Sequence, residues 1–411
     1  MLDIKFIREN PEKVKKGCER KGEKVNVEKI LRLDEKKRKL LSKIEKLRAE
    51  KKKIGKKNIK KARKIKEKIK LLEKDFEKIE KELNDLLYSL CNLPLDDVPF
   101  GKDEKDNVEI KRVGELKKFK FKPKDYLEIA QKWDLIDIKR ASKVSGTRFC
   151  YLKNEAVLLE FALVNLAMEE AQRENFIPII PPVLVREEIM KGMGYIDTPE
   201  DLAERYYLEK DKLFLVGTAE QSIGPLHKDE IFKEKELPKR YIGFSSCFRE
   251  EAGSYGKESW GIFRVHQFDK LELFSFVKPE NSQRELSFLV SFQERLLKLL
   301  EIPYRVVQIC TGDLSRPSAA AFDIECYFPS RKEYRETHSA SNCTDFQSRR
   351  LNIRYRNKKG ELFFVHTLNA TAFAIGRTLI AIIENYQRKD GKIDVPKVLQ
   401  KYLGFKQIPR K

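Results

Sequence analysis

The chain has 411 residues, 41% of them hydrophobic, with 86 Lys/Arg against 65 Asp/Glu and a formal net charge of +21. That length and apolar fraction exclude a small disulfide-held peptide or a wholly disordered tail and allow two or three domains with sizeable cores. The basic excess points to a polyanionic partner, with solubility as the plainer reading.

The opening residues, "MLDIKFIRENPEK", lack the apolar run of a signal peptide, and no stretch approaches the roughly 20 apolar residues that span a bilayer. Residues 27–90 read as two long helices. In the second, Ile65, Ile69, Leu72, Phe76, Ile79, Leu83, Leu86 and Leu90 recur at alternating steps of four and three, an a/d seam. Leu33, Leu40, Ile44, Leu47 and Ile54 form a weaker stripe on the first. "IGKKNI" between them carries Gly and Asn, which break helices and turn chains. The two stripes bury each other only if the chain folds back, so the spacing predicts an antiparallel hairpin roughly 40 Å long.

Residues 35–81 hold 22 Lys/Arg and 8 Asp/Glu, a net of +14, so most of the basic character sits on this rod. A Glu/Lys balance would solvate a coiled coil equally well. The excess fits phosphate contacts, and the lack of exposed aromatics argues against base stacking.

"NLPLDDVPFGKDEKDN" (92–107) reads as a linker, giving an arm domain at 1–100 and a second domain at 101–411. A long helix is expected over 155–175. "FIPIIPPVLV" (176–185) reads as a proline-interrupted strand suited to an edge or interface. Strands are expected near 212–217, 241–249, 261–276, 304–311, 321–328, 349–356 and 362–369, then a helix from about 373 to 386. The pattern predicts an α+β fold, an antiparallel sheet flanked by helices behind a helical arm.

Seven cysteines without a CxxC pair read as reduced thiols of a cytosolic protein. Four histidines show no metal-ligand spacing, so no zinc is expected. "GSYGKES" fails the spacing of a phosphate-binding P-loop.

What remains is a set of arginines and carboxylates. Arg249 ends one expected strand and Arg264 begins the next, so they can converge. Arginine is the side chain best shaped for bidentate phosphate contacts. Arg377 opens the last helix, where backbone N–H groups also favour anions. Such arginines would stabilise a triphosphate in the transition state without any nucleophilic residue. Glu336 and Ser339 in "RETHSASN" offer oxygens that a phosphate-bound Mg²⁺ accepts. Glu220 in "VGTAEQ" and Glu272 can hold an ammonium or a hydroxyl. Any one of the arginines alone reads better as half of a surface ion pair, and Glu220 and Glu272 also read as N-cap or strand-surface residues; the case lies in their joint occurrence.

At these residues the chain resembles the seryl-tRNA synthetases, a family of class II aminoacyl-tRNA synthetases, over nearly its full length. The hairpin resembles their tRNA-binding arm, and "FIPIIPPVLV" resembles motif 1, a dimer element. "CFREEAGSYGKESWGIFRVHQFDKLELF" resembles motif 2 and "LNATAFAIGRTLIAIIENYQ" motif 3. The resemblance implies ATP-dependent activation of L-serine and its transfer to tRNA(Ser), with tRNA(Sec) commonly served as well, by a cytoplasmic homodimer.

It further implies that Arg249 holds the α-phosphate and the carboxylate side of the adenylate. Glu251 would contact adenine, with Glu250 and Val265 nearby, and Arg377 would bind the γ-phosphate. Glu336 and Ser339 would hold Mg²⁺, with Thr337 and His338 in the same ATP segment. Thr218, Ala219 and Glu220 would line the serine pocket with Glu220 at the amino group. Glu272 would accept the serine hydroxyl and Thr371 would complete the pocket. Three departures stand out: "NATA" (369–372), Thr337 and His338 where small or apolar residues are commoner, and Gly217 where a proline commonly precedes "TAE".

Overall fold

The computed structural model describes residues 1–54, 58–252 and 261–410. It divides into two compact units, Met1–Leu93 and Pro94–Lys411. Three of the "IGKKNI" residues, 55–57, and the whole of "GSYGKES" lie outside the described residues.

In the first unit, two short helices, Ile4–Glu9 and Pro11–Arg20, precede α1 (Val27–Ile54) and α2 (Ile59–Tyr88). Asn58 caps α2, its side chain accepting from the Lys61 N–H at 3.0 Å. Val27, Ile30 and Leu33 pack with Leu83, Leu87 and Leu90 in one cluster, while Ile44 packs with Ile65 and Ile69 in another. Early residues of α1 thus meet late residues of α2, which makes the pair antiparallel. Cross-helix ion pairs repeat that register: Lys29–Glu82, Lys37–Glu80, Arg48–Glu73 and Lys61–Glu50. Each is at least partly exposed and worth little singly. They engage several of the few carboxylates and, among the described residues, leave most lysines of α1 and α2 outside ion pairs.

The second unit is built on an eight-stranded sheet. Its strands are β1 (Val108–Val113), β2 (Ile177–Ile179), β3 (Lys239–Phe248), β4 (Gln267–Val277), β5 (Tyr304–Gln308), β6 (Ala320–Phe328), β7 (Glu333–Asn342) and β8 (His366–Ala374). The order is β1-β5-β6-β7-β8-β4-β3-β2, antiparallel throughout except for the parallel β2–β3 pair. Helices α3 (Glu155–Arg173), α4 (Ser282–Leu299) and α5 (Ile375–Asn385) bury Leu163, Leu289, Phe292 and Leu379 against Leu271, Leu273, Ala340 and Ala370 of the sheet. The linker is fastened to this unit: the Leu95 N–H donates to Ala319 O and the Thr311 N–H to Pro99 O, both at 2.9 Å.

The antiparallel sheet stands as expected, with three local corrections. The strand expected at 349–356 is a helix, Phe346–Leu351, followed by a short strand, Arg354–Arg356. Asn352, in the left-handed region at φ 56°, ends that helix. The strand expected from 261 begins at Gln267, so Arg264 precedes it. The strand Glu333–Asn342 lies outside the expected set, because "EYRETHSASN" carries polar groups on the face that lines the site and has no clean alternation.

Candidate active site

Period-two alternation builds the site. On β4, Leu271 and Leu273 face the helical core, so Lys270 and Glu272 face the other way. On β8, Ala370 and Ala372 enter the core and Thr371 points outward. On β7, Ala340 is in the core and Ser339 is not. The ladder pairs Glu272 with Thr371 across β4 and β8, next to a register irregularity. Ser339 Oγ lies 3.4 Å from Thr371 Oγ1.

A cavity on this face is lined by Arg249, Glu251, Val265, Glu336, Thr337, Ser339, Thr371 and Arg377, all among the expected residues. Arg249 directly follows β3. Its Nε donates to Gly217 O at 3.2 Å and its guanidinium lies 5.2 Å from the Phe268 ring. Arg264 donates to Glu251 Oε2 at 2.8 Å, and Glu251 holds a left-handed φ of 50°. Arg377, in the first turn of α5, pairs with Glu336 Oε2 at 3.1 Å and stacks 4.6 Å from the Phe263 ring. Loss of solvation in the cavity works to raise the Glu336 pKa. The charge and hydrogen bond of Arg377, with Arg249 and Lys270 behind it, outweigh that and hold it below the ordinary value.

Beside the cavity, Thr218 Oγ1 donates to Glu272 Oε2 at 3.0 Å. Lys270 pairs with the same carboxylate and lies 3.3 Å from Thr218 Oγ1. Glu220 is buried behind this group, accepting from Tyr195 Oη at 2.8 Å and from Gln347 Nε2 at 3.0 Å. Burial, and next the charge of Glu272, push its pKa up to about 7, against the opposing pull of those two hydrogen bonds.

Three expected residues bring side chains neither to the cavity nor to the group beside it. His338 shares the core face with Ala340, is fully buried against Phe373, and burial holds its pKa down at about 3. The Ala219 methyl is in an apolar cluster with Ile223. The Glu250 carboxylate hydrogen-bonds Tyr206. Sequence reasoning missed Lys270, although its spacing of two from Glu272 was a signal. It also missed Phe263 and Phe268, platforms for the arginines. Gln293 of α4, donating to Ser339 O at 2.8 Å and Thr371 O at 2.9 Å, carried no signal at all, since only folding brings it there.

The raised Glu220 pKa has a stability consequence. The carboxyl is harder to ionise folded than unfolded, so its contribution is complete below the unfolded value near 4.5 and is lost as pH climbs through about 7. Between those values the wild type is expected to lose on the order of 3 kcal/mol relative to Glu220→Gln. Urea midpoints of both proteins across that range measure it; parallel curves would contradict the assignment.

The antiparallel sheet, the paired arginines on one cavity and the hydroxyl-and-carboxylate pocket beside them define a class II aminoacyl-tRNA synthetase core. Residues 206–386 match the family model described as tRNA synthetase class II core domain (G, H, P, S and T), and residues 1–94 match the Seryl-tRNA synthetase N-terminal domain. The chain belongs to the seryl-tRNA synthetase family. It is 49% identical to a serine--tRNA ligase of Dictyoglomus thermophilum, with 100% of each chain covered. A serine--tRNA ligase of Thermotoga petrophila is 43% identical, also with 100% of each covered. The structure is similar to the seryl-tRNA synthetase of Pyrococcus horikoshii complexed with ATP (TM-score 0.93, 42% identity, 99% of each chain). It is also similar to a cytoplasmic serine-tRNA ligase of Naegleria fowleri in complex with AMP (TM-score 0.91, 35% identity, 99% of this chain and 98% of that one).

Proposed function

We propose that the chain activates L-serine with ATP and transfers the seryl group to tRNA(Ser), with tRNA(Sec) as a second acceptor. The observation that carries this reading is the meeting of Arg249 and Arg377 on one cavity, directly beside the Glu272–Thr371 pair. A carboxylate oxygen of serine attacks the α-phosphorus, the bond to the β-phosphate breaks, and pyrophosphate leaves. The terminal ribose hydroxyl of the tRNA then attacks the seryl carbonyl and AMP leaves. Arg249 takes the α-phosphate and Arg377 the γ-phosphate, so the protein contributes positioning and fixed positive charge.

Glu251 and Val265 border adenine, with Glu250 supporting the same turn through Tyr206. Thr337 lines the ATP side, and His338 acts there only through its backbone. Glu336 and Ser339 supply two hard oxygens for Mg²⁺, which needs phosphate oxygens and water to complete six ligands. Among the described residues no group of three His, Cys, Asp or Glu could hold a metal ion. Bound with ATP, Mg²⁺ would neutralise phosphate charge; Glu336, held low by Arg377, stays ionised to receive it.

Glu272 accepts the serine hydroxyl with Thr371 beside it. Thr218 and the Ala219 backbone line the pocket, and Glu220 faces the ammonium. Alanine would leave these buried polar groups unpaired, so discrimination of about 10⁴-fold or more is expected without editing. Thr371→Val should weaken it: kcat/KM for serine falls while that for alanine does not. Equal losses for both would remove Thr371 from hydroxyl recognition.

The lysine surplus of α1 and α2 supports tRNA binding by the arm. Exposed Phe161, Ile177 and Ile180 at the β2 edge support a homodimer across that edge, Ile180 being 83% exposed. Seven free cysteines support a cytoplasmic setting, and among the described residues no helix is long and apolar enough to cross a membrane. The test is ATP–pyrophosphate exchange with each of the twenty amino acids in turn. Exchange with serine alone supports the reading; exchange with another amino acid, or with none, overturns it.

A further inference from the structure

Gly217 precedes Thr218 of the "TAE" segment, and the structure shows what occupies the space where a side chain would stand. A Cβ on Gly217 would lie 3.2 Å from Nη1 of Arg205, 3.5 Å from Phe248 O and 3.6 Å from Cγ of Arg249. Arg205 follows the short helix Pro199–Ala203 and lies with its guanidinium 5.3 Å from the Tyr195 ring. Tyr195 is the residue whose hydroxyl donates to Glu220. Two guanidiniums, Arg205 and Arg249, therefore flank one glycine at the threshold of the amino-acid pocket.

Among the described residues no carboxylate forms an ion pair with Arg205, and its Nε is buried without an acceptor. Burial, and next the charge of Arg249, hold its pKa below the ordinary value, with Asp201 and Glu204 offsetting only part of this. The carboxylates nearest the pocket are committed elsewhere, Glu272 to Lys270 and Thr218, and Glu220 to Tyr195 and Gln347. A half-buried guanidinium beside a second one is unfavourable until an anion joins them.

We infer that Arg205 is a second carboxylate-binding residue, which with Arg249 clamps the α-carboxylate of the amino acid, and that Gly217 is what makes room for it. The inference rests on the serine-activating function proposed above. The attacking carboxylate must approach the α-phosphate held at Arg249, and Arg205 lies beside Gly217, the residue that precedes Thr218 and whose carbonyl accepts from Arg249. The triphosphate would extend the other way, toward Arg377 and Glu336. Two guanidiniums would fix both carboxylate oxygens and so orient the attack, as bidentate arginine contacts do.

The test compares Arg205→Gln and Arg205→Lys with the wild type in serine-dependent ATP–pyrophosphate exchange, using serinol, which lacks the carboxylate, as a competitive inhibitor. Arg205→Gln is expected to raise the KM for serine about tenfold or more. The KM for ATP and the inhibition constant of serinol should stay at their wild-type values. Arg205→Lys should recover part of the loss. Gly217→Ala, which pushes a methyl against Nη1, should give a smaller defect of the same selective kind.

An unchanged KM for serine in Arg205→Gln would overturn the inference. So would serinol inhibition that weakens in step with serine, because the residue would then only shape the pocket. A rise in the KM for ATP in place of serine would assign Arg205 to phosphate and overturn it as well. Failure of the underlying function is read separately, in the wild type, as exchange that does not depend on serine.

Discussion

Arg249→Ala is expected to lower serine-dependent pyrophosphate exchange by about a hundred- to a thousandfold, while tRNA affinity in a filter-binding assay stays near wild type. The side chain ends β3 and reaches the cavity wall between Gly217 and Phe268. In the proposed reaction it meets charge that grows on the α-phosphate as the carboxylate attacks. Removing it takes away an interaction stronger in the transition state than in the ground state, so kcat falls and not only KM. Arg264 cannot substitute, because its guanidinium is engaged by Glu251 at 2.8 Å. Near-normal exchange in the alanine variant would remove Arg249 from the chemistry.

Replacing residues 35–81 with a short glycine-containing turn should leave adenylate formation at the wild-type rate and lower tRNA charging by about a thousandfold or more. The deletion keeps the packing of Val27, Ile30 and Leu33 on Leu83, Leu87 and Leu90, and removes the outer cluster around Ile44, Ile65 and Ile69. The second unit has its own core, so its sheet should fold unchanged. What is lost is a segment with a net charge of +14. Phosphate contacts release counterions, so charging by the intact protein should weaken steeply with added salt while exchange does not. Full charging by the shortened protein would show that tRNA is held elsewhere.

Much of this architecture is legible in the amino-acid order. The a/d seam of α2 dictates an antiparallel partner, because neither stripe can be buried alone. Arg249, Glu272 and Arg377 are legible as a group because strand alternation and a helix start place them predictably. His338 shows where such reading stops. It stands in the same stretch as Glu336 and Ser339, yet it faces the core with Ala340, and a register irregularity at Thr337, which the sequence does not announce, is what puts Glu336 on the cavity side instead. Strand β7 is illegible for a related reason: its outward face is polar because it lines a site, so it lacks the apolar rhythm by which strands are recognised.

The sequence by itself determined the arm, its surplus of charge, the α+β character of the rest and the types of group available for chemistry. These depend on local periodicity and composition, which neighbours in the chain carry. The tertiary structure alone decided which groups meet. It set Gln293 of α4 beneath Ser339 and Thr371, Thr218 against Glu272, and Arg205 beside Gly217 and Arg249. Most of those meetings join segments far apart in the chain. They exist because burying one face of an eight-stranded sheet fixes the register of every strand, and with it the side chains on the other face.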